Sequence, residues 1–413
     1  MRNNTNLFSK KLVWLLTVGL FSAITIFESY TWGKYILIIA CFLILSIDII
    51  VQKGKYYCYI DKYTKYIICL MLFSLFSALW GISASDSLIK AFTFFQILIC
   101  MMILYNHYKC YADVKQLLSC VKWSSYIISI YSIIYYGYEF LAQMMLKGIR
   151  IDNGYTNINT IGMLAAIGIL IQIDELFQKH KITFSTFFCI PSFFILISTQ
   201  SRKAILILTV GFILIIIMYN LKQGVKLSKI LKIIFMLSIA VCLIGYLSTF
   251  DIFKGINKRM GYLIAIFTGQ GEIGASILTR QNLIRLGMNI FKENCILGIG
   301  MGCPSLIVLN ELQLDAYLHN GFVEMLAAGG IVGFTLYYSS YIYLLWNFYK
   351  FRNTDDQNHI ICIILTVILL FRDYAMVSVY SKVTYFYFMI FFLQLDALKK
   401  HNRTVGKVKR RGC

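Results

Sequence analysis

"LHNGFVEMLAAGGIVGFTLYYSSYIYLLW", residues 318–346, is the stretch whose reading decides the fold class. From Gly321 to Trp346 the only charged residue is Glu324. At ~1.5 Å per residue such a run is long enough to cross ~30 Å of hydrocarbon as a helix. Gly329 and Gly333 form a G-x-x-x-G inside it, beside Ala327, Ala328 and Gly330, and read as close helix packing. His319 and Asn320 stand immediately before it and raise a separate question, because nothing in an apolar helix calls for them.

Similar runs recur in both directions, at 12–27, 35–51, 66–82, 89–106, 123–141, 157–175, 182–199, 203–219, 230–249, 359–376 and 383–397. With 321–346 they predict an all-α integral membrane protein of about twelve transmembrane helices, a single polytopic domain over 1–413. The composition points the same way: 59% of residues are hydrophobic and 14% charged, against about a quarter charged in soluble domains. The first run lacks a small-residue cleavage site and is followed by further spans, so a retained helix is expected rather than a signal peptide.

The net charge of +20 suggests a polyanion partner at first sight. Its lysines lie between apolar runs rather than on an amphipathic surface, so the partner expected is the lipid bilayer and no nucleic acid. With the N-terminus inside, every short inner segment is basic: Lys10 and Lys11, Lys53 to Lys65, Lys109 to Lys122, Lys179 and Lys181, Lys222 to Lys232, and Lys350 with Arg352. The outer segments "ESYTWGK" and "SASDS" nearly lack positive charge. This alternation predicts both termini in the cytoplasm, a basic cytoplasmic tail over 398–413, and a large extracytoplasmic loop over 250–320 between spans 9 and 10.

In that topology His319 is the only histidine on the outer face. A structural reading makes it a helix cap or an interfacial residue. The chemical reading uses an imidazole with pKa near 6.5 to accept a proton from a hydroxyl or to hydrogen-bond a phosphate. Asp315, four residues earlier, orients the ring if that segment is helical.

Arg202 and Lys203 in "STQSRKAIL" mark the outer end of the eighth span, where charge is costly unless solvated or paired, and a guanidinium suits two phosphate oxygens. Arg280 and Arg285 fall in "ILTRQNLIRLGMNIF", an expected surface helix with Leu278, Ile284, Leu286 and Ile290 on one face; for Arg285 a solvated face is preferred. "GIGMG" at 298–302 reads as a tight turn. Asn157 and Asn159 either hold a polar ligand or cap the sixth span. Cysteine spacing suits no zinc site, and no D-x-D motif is present in the outer loop, so neither a metal nor another cofactor is expected. Cys295 and Cys303 are left open between free thiols and a disulfide.

Together these residues predict an outward-facing site of one histidine and several arginines, suited to a diphosphate already attached to a lipid. The stretch from Arg280 to about Tyr338 resembles the O-antigen ligase/O-antigen polymerase family. The resemblance rests on Arg280 at the start of a helix, the turn "CILGIGMG", then "LHNGFVEM" and the Gly-rich "AAGGIVGF"; outlying matches are "SRKA" at 201–204 and Asn157-x-Asn159. The sequence departs from the family pattern at Cys295, Lys203 and Ala328, where Pro, Gly and a second acidic residue are usual.

The resemblance implies a GT-C-like fold and a metal-independent glycosyltransferase at the outer face of the bacterial cytoplasmic membrane. Its partners would be an undecaprenyl-diphosphate-linked oligosaccharide and an acceptor glycan, with the pathway's flippase and chain-length regulator as neighbours. It implies diphosphate binding by Arg202 and Arg280 and catalysis by His319, with Asn320, Lys203, Glu324, Arg285 and Asn159 in support. A polymerase of O-antigen, capsular or exopolysaccharide repeat units is the first reading and a ligase the second. A lipid-linked sugar flippase is the alternative of another class, disfavoured because mid-span charge is scarce.

Overall fold

The computed structural model describes residues 2–27, 33–51, 53, 58–111, 114–147, 154–222, 261, 275–352, 354 and 356–411. Among these the regular structure is helical: α1 (Arg2–Ile26), α2 (Gly33–Val51), α3 (Lys62–Phe76), α4 (Ala84–Tyr111), α5 (Val114–Tyr136), α6 (Tyr138–Lys147), α7 (Ile158–Lys179), α8 (Phe184–Phe187), α9 (Cys189–Ser198), α10 (Arg202–Lys222), α11 (Ala275–Glu293), α12 (Pro304–Leu312), α13 (Gly321–Lys350), α14 (His359–Asp373) and α15 (Lys382–Arg411), with one 3-10 turn at Ser77–Leu79.

Every expected apolar run except 230–249, which lies outside the described residues, overlaps one or two of these helices. Seven helices among the described residues are long and apolar enough to cross a membrane, and shorter apolar helices cover Tyr35–Val51 and Phe184–Ser198. The loop expected over 250–320 holds α11 and α12 in its described part.

α15 forms the centre of the bundle. Its residues from Thr384 to Leu395 are buried on every side, as expected for a helix apolar all round. Phe386 packs edge-on against Phe21 of α1, Tyr385 against Phe94 of α4, and Phe388 against Tyr341 of α13. By contrast, Ile38, Ile39 and Phe42 of α2 and Phe92 and Phe95 of α4 are exposed. Such a rim of large apolar side chains suits contact with lipid tails.

Breaks in three expected runs have local causes. The run 123–141 ends at Tyr136, because Gly137 takes φ +82° and starts α6 in a new direction. The run 182–199 divides into α8 and α9, since Pro191 has no N–H to continue the ladder from Phe187.

In α13 the break is at Gly330, with φ 60° and ψ −161°. There the helix ladder is exchanged for pairing with the turn 295–300. Ile299 and Gly300 donate their N–H groups to the carbonyls of Ala327 and Ala328 (3.0 Å each), while Ile331 and Val332 donate to Cys295 and Ile296 (2.9 and 3.2 Å). No backbone group at the break is lost to the apolar interior. A Cβ on Gly330 would stand 2.2 Å from the Ile296 carbonyl oxygen, so only glycine fits. Gly329 and Gly333 do serve packing, with the Phe73 ring of α3 over both.

Candidate functional site

One end of the bundle gathers the ends of α1, α3, α5, α9 and α14 and the starts of α2, α4, α7, α10, α13 and α15. The glycine turn 298–302 is fastened there by several hydrogen bonds. Trp80 Nε1 donates to the Leu297 carbonyl (3.2 Å), Ile82 N to Ile299 O (3.0 Å), Met301 N to Ser77 Oγ (3.1 Å) and Gly302 N to Tyr380 Oη (3.1 Å). Gly298, Gly300 and Gly302 all have positive φ, which is how the chain turns so tightly.

His319 sits at this end, directly before α13. Its backbone is left-handed, with φ +54°, a conformation that costs a non-glycine residue of order 1–3 kcal/mol and therefore needs neighbours to impose it. Those neighbours are on both sides. Asn320 caps α13, its Oδ1 accepting from Phe322 N and Val323 N (3.0 and 3.1 Å). Glu324, fully buried, reaches back so that its Oε2 accepts from Leu318 N (3.1 Å). Leu318 is itself buried against α11, where Gly287 leaves room for it and for Val323.

The imidazole projects from this fixed backbone to an exposed position, and no hydrogen bond among the described residues occupies it. Partial desolvation comes first in holding its pKa below 6.5, followed by the positive charges of Arg280 and Lys203. Both causes favour the neutral ring, the form a proton acceptor requires.

The structure thus brings His319, Arg280 and Lys203 within electrostatic reach of one another, from α13, α11 and α10. Lys203 also donates to the Ala375 carbonyl, tying the start of α10 to the connection after α14. Arg202 is half-buried at the first turn of α10, and the preceding Ser201 Oγ donates to Asn159 Oδ1 (3.0 Å), so Asn159 braces that turn. Asn157 caps α7, its side chain accepting from Asn159 N.

Other expected residues take different positions. Arg285 is exposed on α11 and is not among the charges acting on His319. The buried side of α11 runs through Leu283, Gly287 and Ile290, whereas Leu278 is exposed, so the apolar face is rotated from the one the sequence suggested. Asp315 is exposed in the non-helical segment 313–318 and does not orient the imidazole. Cys295 and Cys303 are free thiols. Glu324 pairs with no arginine among the described residues; the cation acting on it is Lys90.

Lys90 is a residue the sequence reading passed over. Its Nζ lies 4.7 Å from the Tyr380 ring centre and 5.3 Å from that of Tyr317, two residues before His319. The available signal was a lysine seven residues into α4, on the end otherwise poor in positive charge.

Comparison with protein-family models matches residues 187–338 to the O-antigen ligase family. This segment covers little more than a third of the chain. It contains Arg202, Lys203, Arg280, His319 and Glu324, and it ends within α13 beyond the Gly330 break. The match to the O-antigen ligase family and the apolar helices together suit a multi-pass membrane protein. Comparison with curated proteins gives no match.

Proposed function

We propose that the protein is a polymerase of lipid-linked oligosaccharide repeat units, working at the outer face of the cytoplasmic membrane. The observation that carries this reading is an exposed imidazole on a strained, doubly anchored backbone, with two cations acting on it from other helices and favouring its uncharged form. Guanidinium and ammonium groups suit a diphosphate, and an uncharged imidazole suits deprotonation of a hydroxyl.

In the reaction, His319 takes the proton of the acceptor sugar hydroxyl as its oxygen bonds to the anomeric carbon of the donor glycan. The bond from that carbon to the undecaprenyl diphosphate breaks, and the leaving diphosphate keeps the electron pair. Arg202 and Arg280 neutralise the charge that develops on it. Asn320 and Glu324 act through His319 by holding its backbone. The basic segments at the opposite end support a topology of about twelve spans with both termini in the cytoplasm.

Purified protein given a lipid-diphosphate oligosaccharide is expected to release polyprenyl diphosphate and to make longer lipid-linked glycans. Movement of intact donor across a vesicle membrane without glycan transfer would overturn the assignment in favour of transport.

The family description favours a second reading, a ligase that moves a finished glycan to its final acceptor. A deletion strain separates the two: single-repeat products mark a polymerase, and intact polymer stranded on its carrier marks a ligase.

A further inference from the structure

A cavity of about 190 Å³ lies between the end of α1, the start of α2, the first turns of α7 and the α14–α15 connection. Water needs only ~10–15 Å³ by the same measure, so the space admits a far larger occupant. Leu37, Met163, Ile167 and Val383 give it apolar walls, while Arg372 and Lys382 bring two cations to it.

Arg372 is 7% exposed. A cation so deep beside apolar helices is costly and calls for a partner or a function. Its Nη2 donates to Thr384 Oγ1 (2.8 Å) and stands 3.6 Å from Asp373 Oδ1, yet its buried Nε has no partner among the described residues. The Tyr387 hydroxyl, on another lining residue, is likewise buried without one. A cation at the C-terminus of α14 would favour the helix dipole from an exposed position as well. The dipole therefore does not explain the burial.

Asp373 Oδ1 is already taken by Ser378, and Oδ2 is in reach of the Tyr338 and Tyr341 hydroxyls (3.4 and 3.5 Å), so the one adjacent carboxylate is shared among four groups. The cavity also lies beyond the segment that matches the O-antigen ligase family, since Arg372 and Lys382 follow residue 338. It is nevertheless joined to the His319 site. Gly321 packs on Asp373 and the Met376 carbonyl, and Lys203 holds Ala375.

We propose that this cavity is a second anionic-lipid site, holding the phosphate end of the acceptor's polyprenyl anchor. The inference rests on the polymerase reading: joining two lipid-linked strands requires two anchors at once, and Arg202 with Arg280 serve the donor. In the second site Arg372 and Lys382 face the phosphate, the Tyr387 hydroxyl donates to it, and the first isoprene units lie on the apolar walls.

Native mass spectrometry of the full chain in detergent, with undecaprenyl monophosphate as probe, tests this directly. The unmodified protein is expected to bind two lipids, Lys382→Gln and Met163→Trp one, and Arg202→Ala/Arg280→Ala one. Melting temperatures of the variants, matched to the unmodified protein, verify that the fold is kept; Lys382→Gln leaves the Arg372–Thr384 contact intact. Retention of two lipids by both Lys382→Gln and Met163→Trp, or loss of both lipids in Arg202→Ala/Arg280→Ala, would overturn the second site. Undecaprenol binding as well as the phosphate would overturn the role of the cations, and equal competition by inorganic phosphate would overturn that of the lipid chain. The mass spectrum reads binding alone, so failure of the polymerase reading shows separately, as two bound lipids in a protein that gives no glycan transfer in the lipid-diphosphate oligosaccharide assay.

Discussion

At one end of the bundle Lys109 reaches Asp61 and Asp396, Lys122 reaches Glu175 (2.6 Å), Lys179 reaches the same carboxylate (2.8 Å), and His107 meets Asp48 (2.7 Å). At the other end the charges acting on His319 are two cations, Arg280 and Lys203. The groups around these lysines and the groups around His319 differ in sign. Carboxylates interleaved with cations neutralise them and join helices: Lys109 ties α4 to the start of α3 and to α15, and Lys122 ties α5 to α7. Cations converging on an exposed neutral imidazole instead make a place where an anion is welcome and a proton can be taken. The presence of cations alone does not distinguish a joint from a site. The sign of the neighbours does.

The comparison breaks first if the arginines prove structural. Arg280→Ala is expected to lower kcat/KM for glycan transfer by ~10²–10³, the usual effect of removing one group that stabilises a developing anion, with little change in melting temperature. A lost fold with normal residual activity per folded molecule would place Arg280 with the joints. The converse holds for Glu175→Ala. It leaves Lys122, whose side chain is 4% exposed, without its carboxylate, and about 3 kcal/mol of stability should go with it while activity per folded molecule stays. Thermal unfolding in detergent, read beside specific activity, distinguishes the two.

Smaller effects sharpen the account of His319. Asn320→Ala removes a cap worth about 1 kcal/mol. Because that cap helps to hold the left-handed backbone, activity should fall several-fold more than the modest loss of stability suggests, and Asn320→Asp, which still caps, should restore most of it. Smallest is the effect of Lys203→Gln on the pH profile. The Lys203 charge depresses the imidazole pKa, so its removal raises that pKa. The acid limb of kcat/KM, where His319 becomes protonated, should therefore move to higher pH. An unmoved limb would mean that His319 is not the group that titrates.

Much of this was legible in the sequence. Apolar runs show where helices lie, because a chain in lipid has few other ways to satisfy its backbone. His319, Arg280 and Lys203 were also legible, since a lone histidine and unexplained cations stand out against an apolar background. What escaped were features made by pairing between distant segments. The Gly330 break exists only because the turn 295–300 supplies the missing hydrogen bonds, and a local apolar pattern gives no sign of that. The capping role of Asn320 rests on the Phe322 and Val323 N–H groups that point at it. The burial of Arg372 depends on α15 folding across it. Lys90 was hidden by its position inside a helix rather than in a loop.

The most direct test of the central claim is the rate of glycan transfer by purified His319→Ala protein, with a lipid-diphosphate oligosaccharide as donor and the unmodified protein in parallel. Loss of a general base predicts a fall in kcat/KM of at least ~10² at unchanged melting temperature. Transfer by His319→Ala at the unmodified rate would contradict the account.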